Sequence, residues 1–285
     1  MTESSLQDRG VPLSDEAVRI GSEAHKRLFC RMLLDTFDPY RPAVIAWPDL
    51  APDALARLTG LPFWDVALAT EEMAGRRMQA LADATDDPLI REAVALNAFE
   101  ERRHKEVLGH MIRFYGIAVE PEKPPARAGD PHWEFMRTGY GECFDSFFAF
   151  GLFALARRSR FFPAPLLEVF EPIVQEEARH NLFFVNWVAY MRARGLGLRR
   201  LRIDAQRLMA LAIQAWGRVG AAKQADDKNF TRTGGEAIGL DLKPRDFLML
   251  CATENDRRLA PYDAQLLRPR IMPATIGTLC RVLRK

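Results

Sequence analysis

Long stretches of the chain place apolar residues three or four positions apart, which is the spacing of one buried helical face. Turn residues separate these stretches, and no segment shows the period-two alternation that is typical of strands. The longer helices are predicted at 62–84, 88–115, 132–160, 165–194, 203–225 and 244–259. The sequence therefore predicts an all-α protein.

The four central helices form two pairs, because short turns join the members of each pair. A longer crossover rich in proline and charge, at 120–131, connects the first pair to the second. This connectivity is that of an antiparallel four-helix bundle with one long crossover. We therefore expect a bundle over 61–195, an N-terminal helical extension over 1–60 and further helices packed on the bundle over 196–285.

Two motifs, EERRH at 100–104 and EEARH at 176–180, share the pattern Glu-Glu-x-Arg-His in the middle of two predicted helices. The second Glu and the His of each motif are three positions apart, so both lie on one helical face. That face is apolar on either side of the motifs, with Ile90, Val94, Asn97, Leu108, Met111 and Tyr115 around the first and Leu166, Phe170, Ile173, Phe184, Trp187 and Met191 around the second. A buried carboxylate pairs with another group or binds a metal ion. Two pairs in register favour a metal site over chance pairs on solvated faces.

A site for two metal ions needs further carboxylates from the other two helices of the bundle. In the first helix, Glu71 lies on the apolar face and Glu72 lies at its edge. Glu142 and Asp145 share a face of the third helix. The distance from the turn favours Asp145, whereas side-chain reach and the matching residue type favour Glu142. We take Glu142 as the ligand and keep Asp145 as a supporting residue or substitute.

Polar residues near the motifs could support a metal site or have an ordinary structural role. Asn97, one turn before Glu101, is a candidate for holding an imidazole, and equally a helix-interior amide that bonds to a neighbour. Of only five histidines in the chain, His25, His110 and His132 show no ligand spacing, so they are expected at the surface or at helix caps.

The set Glu71, Glu101-Arg-Arg-His104, Glu142 and Glu177-Ala-Arg-His180 resembles the Glu, Glu-x-x-His, Glu, Glu-x-x-His ligands of the ferritin-like di-iron carboxylate superfamily. The resemblance covers roughly residues 60–195. The Arg before each His is similar to motifs of acyl-carrier-protein desaturases, aromatic-amine N-oxygenases and the aerobic cyclases of chlorophyll synthesis. The resemblance implies a ferritin-like four-helix bundle in which these six residues hold two iron ions, with manganese or a mixed pair as alternatives.

On this resemblance we expect a non-haem di-iron oxygenase or oxidase that activates dioxygen to oxidise an organic substrate, either a small molecule or a carrier-bound group. Electrons would come from a separate donor protein, because the sequence has no dinucleotide-binding fingerprint. One alternative is a ferritin-like protein that handles iron or peroxide without an organic substrate. The other is a metal-free helical binding protein.

Composition limits the remaining classes. The chain has 285 residues, of which 48% are hydrophobic and 27% charged, so disordered and fibrous proteins are excluded. The four cysteines form no C-x-x-C pair, and no signal peptide or membrane-spanning stretch is evident. We expect a cytoplasmic protein, and the net charge of +2 argues against a dedicated nucleic-acid binder.

The near-neutral total hides an asymmetry. Residues 1–191 have 21 basic and 29 acidic side chains, whereas residues 192–285 have 19 and 9, giving net charges of −8 and +10. The basic excess suits docking of an acidic carrier protein or reductase, and equally a solvated basic face. It includes Arg192, Arg194, Arg199, Arg200, Arg202, Arg268 and Arg270.

The third bundle helix is apolar on all sides, since it contains Phe144, Phe147, Phe148, Phe150 and Phe153. We expect these rings to be buried beneath the outer segments or at a homodimer interface. The alternative is an apolar substrate channel.

Overall fold

The computed structural model describes residues 18–121, 129–223 and 243–282, which form helices and contain no strand. The all-α prediction is confirmed. The described helices are α1 (Glu23–Asp35), α2 (Pro52–Thr59), α3 (Trp64–Asp83), α4 (Pro88–Tyr115), α5 (Pro131–Ser159), α6 (Ala164–Arg194), α7 (Gly197–Lys223), α8 (Pro244–Leu259) and α9 (Ile271–Val282), with a 3₁₀ turn at Pro42–Val44. The start of the predicted N-terminal extension and most of the predicted crossover lie outside these ranges.

Capping residues set both ends of α4. The Asp87 side chain accepts hydrogen bonds from the backbone amides of Leu89 and Ile90 at 3.0 and 3.1 Å, and Pro88 occupies the first turn of α4. The helix ends at Gly116, whose φ of +65° is accessible to glycine without strain. These local signals explain why the predicted range of α4 matches the observed one.

Helices α3 to α6 form a four-helix bundle. Helix α3 packs along α4 and α5, and α6 packs along α5 and α4. Helix α1 covers α4 and α6, whereas α7 and α8 lie against α5 and α6. One apolar cluster runs from Phe29 in α1 through Val94 and Phe183 to Ile203 in α7, so the core continues across the predicted boundaries at 60 and 196.

The aromatic face of α5 is covered by the C-terminal helices. Phe147 is buried in a cluster with Cys251 of α8 and with Met272 and Ile276 of α9, and Phe150 is buried in the main core. These contacts match the expected burial beneath outer segments. Within the described ranges, no helix combines the length and apolar composition that crossing a membrane requires.

His25 was expected at the surface or at a cap; the surface alternative is wrong, and the side chain instead lies in the cap of α1. The ring is buried, its Nδ1 accepts from the Gly21 amide at 3.2 Å, and its Nε2 donates to Asn186 Oδ1 at 3.0 Å. Asn186 Oδ1 also accepts from the Leu267 amide, and its Nδ2 donates to the Leu267 carbonyl, each at 3.0 Å. Asn186 therefore joins both ends of the described chain to α6.

Candidate metal centre

Helices α4 and α6 present their two motifs to each other inside the bundle. Glu101, His104 and His180 are buried. His104 Nδ1 lies 3.5 Å from a Glu71 oxygen and 3.2 Å from a Glu177 oxygen, and His180 Nδ1 lies 2.9 Å from Glu101 Oε1. The imidazole centroids are 5.8 Å apart. Single ligand atoms of Glu71, Glu101, His104 and Glu177 all lie within 4.8 Å of one another.

Helix α5 contributes Glu142, which is not one of these four residues. Its Oε1 is buried, and burial together with the charges of Glu101, Glu177 and Glu71 raises the pKa of its carboxyl. One turn further along α5, Ser146 Oγ donates to Glu177 Oε2 at 3.5 Å. Asp145 is instead exposed. Of the two candidates in this helix, Glu142 is therefore the one with a buried carboxyl oxygen.

The remaining two candidates occupy other surroundings. Glu72 lies at the edge of the bundle, where it forms ion pairs with Arg76 at 3.1 Å and Lys105 at 3.3 Å. Asn97 is buried on α4, and its Oδ1 accepts no hydrogen bond from the described residues. Neither side chain is the hydrogen-bond partner of a motif histidine.

Those partners are the first glutamates of the two motifs, which sequence reasoning missed. His104 Nε2 donates to Glu176 Oε2, and His180 Nε2 donates to Glu100 Oε2, each at 2.8 Å. Each helix thus orients the imidazole of the other. Because both Nε2 atoms point at these two glutamates, both Nδ1 atoms point at Glu71, Glu101 and Glu177. The repeated Glu-Glu doublet was the available signal.

The arginines of the motifs complete this crossed arrangement. Arg103 Nη2 donates to Glu176 Oε1 at 2.6 Å, and Arg179 Nη2 donates to Glu100 Oε1 at 2.5 Å. Both guanidinium groups are buried, so each supplies the opposite charge that a buried carboxylate requires. Although burial opposes ionisation, the contacts with His180 and Arg179 lower the pKa of the Glu100 carboxyl.

The same arginines hold the last turn of α1 and the chain that follows it against the site. Arg179 Nη1 donates to the Leu33 carbonyl at 2.9 Å, and Arg103 Nη1 donates to the Asp38 carbonyl at 2.6 Å. The Tyr40 ring lies 3.8 Å from the Arg103 guanidinium, and its hydroxyl donates to Glu176 at 3.3 Å. The segment 33–40 therefore forms one wall of the centre.

Burial and mutual repulsion govern protonation of the ligand group. Burial, reinforced by Glu101 and Glu177, raises the pKa of the Glu71 carboxyl to about 8 despite the favourable contact with His104. Burial and the surrounding carboxylates raise the pKa of Glu142 well above its usual range. Burial opposes charge on His104, but its three glutamate contacts prevail and raise its pKa well above 6.5. A metal ion entering the site therefore displaces protons.

Unsatisfied polar atoms test whether the residues suit metal ions. His104 Nδ1, His180 Nδ1, Glu101 Oε1 and Glu142 Oε1 are all buried without an aligned hydrogen bond from the described residues. The imidazole nitrogens nevertheless approach carboxylate oxygens at 2.9 to 3.5 Å. Nitrogen and oxygen atoms that converge in this way are arranged like the ligands of a cation, so the side chains present fit a metal centre.

Comparison with known proteins finds no relative of this chain: no family model, no curated protein and no solved structure matches it. The chemistry open to the site therefore follows from its donor atoms. Four carboxylates and two imidazoles form a mixed oxygen and nitrogen set that suits iron or manganese. Four ionised carboxylates would balance the charge of two divalent ions.

Proposed function

We propose that this protein holds two first-row divalent metal ions, with iron the foremost candidate, and uses them to activate dioxygen for the oxidation of an organic substrate. The observation that supports this most strongly is the crossed arrangement of α4 and α6. Each helix contributes a Glu-x-x-His pair, and each orients the imidazole of the other through a further glutamate.

Six side chains would hold the ions, namely Glu71, Glu101, His104, Glu142, Glu177 and His180. Bound ferrous ions would supply the reducing electrons and the Lewis acidity of the reaction. Glu100 and Glu176 would keep a proton on each Nε2, which would leave the lone pair of each Nδ1 free to bind a metal ion. Arg103 and Arg179 neutralise these two glutamates, so the net charge of the centre is set by the four ligand carboxylates.

A metal-free binding protein is a poorer explanation of the same geometry. Burying several carboxylates beside one another is costly in the absence of cations, because each charge loses hydration and repels its neighbours. The raised pKa values of Glu71 and Glu142 express that cost. A scaffold would gain equal packing from apolar residues at these positions.

The fate of oxygen tests the proposal. Iron-loaded, chemically reduced protein should be exposed to oxygen with and without a small-molecule extract, and metabolite masses should be followed. We expect faster oxygen consumption with extract and a compound that gains one oxygen atom or loses two hydrogen atoms. His104→Ala should abolish this product. Glu72→Gln is the matched control, since Glu72 adjoins Glu71 but forms surface ion pairs.

Two results would contradict the proposal. Oxygen consumption that never depends on added organic compounds would indicate an iron- or peroxide-handling protein that uses the same ligands. Formation of the product by the His104→Ala variant at the rate of the unmodified protein would show that this site is not the reactive centre.

A further inference from the structure

The solvent-facing side of α7 is apolar. Five large side chains on this side are strongly exposed: Leu201 (65%), Leu208 (69%), Met209 (57%), Ile213 (45%) and Trp216 (80%). Of the other exposed positions from 202 to 217, Arg202 is charged, whereas Ala205, Ala212, Ala215 and Gly217 are not. From 203 to 217, therefore, no exposed position of this helix carries a charge. A surface helix ordinarily turns polar residues to this side.

Contacts on the opposite side fix the rotation of the helix. Ile203 and Ala210 are buried against the bundle. Gln214 Nε2 donates to the Arg137 carbonyl at 2.7 Å, and Arg207 Nε donates to the Tyr140 hydroxyl at 3.2 Å. Since these contacts already use the inner side of α7, the exposed apolar side chains are not a displaced core face.

Two further leucines extend the apolar surface to the turn before the helix. Leu196 and Leu198 are each 84% exposed. We call Leu196, Leu198, Leu201, Leu208, Met209, Ile213 and Trp216 the outer stripe. From Leu198 to Trp216 it is about 27 Å long at 1.5 Å per residue. Isolated exposed leucines are common in soluble proteins, but an apolar row of this length, interrupted by the exposed Arg199, Arg200 and Arg202, marks an interaction surface.

Basic residues gather where the outer stripe begins. Arg194, Arg199, Arg200 and Arg202 are all exposed. The only acidic residue in the sequence of α7 is Asp204, which pairs with Arg192 at 2.6 Å and Arg207 at 3.3 Å. Arg202 lies 3.8 Å from Asp130, so an occupant of this surface meets apolar side chains beside the positive charges of Arg194, Arg199 and Arg200.

The apolar outer stripe and the neighbouring arginines together favour one binding partner over another. A second copy of the chain would bring its own α7, which has no exposed acidic side chain to pair with these arginines. A bilayer with anionic lipids offers both partners, because its acyl region accepts the apolar side chains and its phosphates accept the guanidinium groups. We propose that α7 is a membrane-surface helix that lies in the headgroup region of anionic bilayers.

Vesicle sedimentation of the full chain tests this assignment. We expect binding to phosphatidylcholine vesicles that contain phosphatidylglycerol, and weaker binding to phosphatidylcholine alone or at high salt. Leu208→Ser/Trp216→Ser should lower the partition coefficient by about tenfold or more, since two apolar anchors are lost. Arg199→Gln/Arg200→Gln should reduce binding to the anionic vesicles only.

Val44→Ser/Phe114→Ser is the matched control, because both residues are exposed apolar side chains outside α7. It should bind like the unmodified protein. A second stripe variant, Leu201→Ser/Met209→Ser, provides the same test if the first fails to fold, as judged by circular dichroism. Metal-free and metal-loaded protein should bind equally, so failure here is distinguishable from failure of the proposed metal chemistry.

Three results would overturn the inference. The first is the absence of sedimentation with every vesicle composition. The second is unchanged binding by a folded stripe variant. The third is a dimer by light scattering that the stripe substitutions convert to a monomer, which would assign this surface to a second copy of the chain.

Discussion

Adjacent glutamates in each motif contact different nitrogens of one imidazole, because one helical step rotates a side chain by about 100°. Glu101 lies 2.9 Å from His180 Nδ1, whereas Glu100 accepts from His180 Nε2 and from Arg179 on α6. The clustering of Glu71, Glu101, His104 and Glu177 was predictable from sequence because these residues follow the apolar faces of their helices. The partner of Glu100 was not, since it depends on how closely α4 and α6 approach.

Replacing the orienting glutamates tests their assigned role. Glu100→Gln and Glu176→Gln keep the side-chain shape but remove the charge that fixes the imidazole tautomer. We expect each to weaken metal binding by about 10- to 100-fold, measured by competition with a chelator of known affinity. Glu72→Gln should bind as the unmodified protein does. Equal affinity in all four proteins would refute the role of Glu100 and Glu176.

Protonation of the ligand group predicts how stability depends on pH in the metal-free protein. The pKa of Glu71 is raised from 4.5 to about 8, so its stabilising contribution is complete below pH 4.5 and is lost as the pH rises through 8. The raised pKa values of His104 and His180 act in the same direction. The melting temperature of chelated protein should therefore fall over this window, and less steeply in Glu71→Gln. A melting temperature that increases with pH would contradict this.

At the scale of elements, helix type and most boundaries were predictable because capping residues act locally. Asp87 and Gly116 flank α4, and the helix begins and ends at the residues that the sequence predicts. The start of α7 was predicted at 203 but lies at Gly197. Its first turns expose Leu198 and Leu201, so they lack the buried periodicity from which helices are recognised.

Close packing of α5 against α6 makes a glycine prediction at this scale. A methyl group at Gly139 would overlap the Phe184 ring, whereas one at Gly109 in α4 would meet only the Arg113 guanidinium at 3.4 Å. Gly139→Ala should lower the free energy of unfolding by about 1–3 kcal/mol in urea titrations. Gly109→Ala should be neutral or raise it by up to about 1 kcal/mol. Equal effects of the two substitutions would show that α5 and α6 are less tightly packed.

For the whole molecule, the ends of the described chain contribute to the same core as the bundle. Neither the wall formed by 33–40 nor the link through Asn186 was predictable from sequence. In both cases a buried side chain forms hydrogen bonds with backbone groups far away in the chain. Because every residue has these backbone groups, the sequence does not indicate which of them will be the partners.

Asn186→Ala tests that link. It removes the partner of His25 Nε2 and of both Leu267 backbone groups, so the free energy of unfolding should fall by about 2–4 kcal/mol. Asn181→Ala is the control, because Asn181 is buried in the same helix but its Oδ1 accepts no hydrogen bond from the described residues. Denaturant unfolding should show the smaller loss for Asn181→Ala, and the reverse order would contradict the link.

Iron stoichiometry tests the metal centre most directly. Metal-free full-length protein should be titrated anaerobically with ferrous iron, desalted and analysed for metal, beside Glu101→Ala and His104→Ala variants checked for folding. We predict two iron ions per chain in the unmodified protein and loss of loading in both variants. Well under one iron or manganese ion per chain in the unmodified protein, or unchanged loading in the variants, would contradict the assignment.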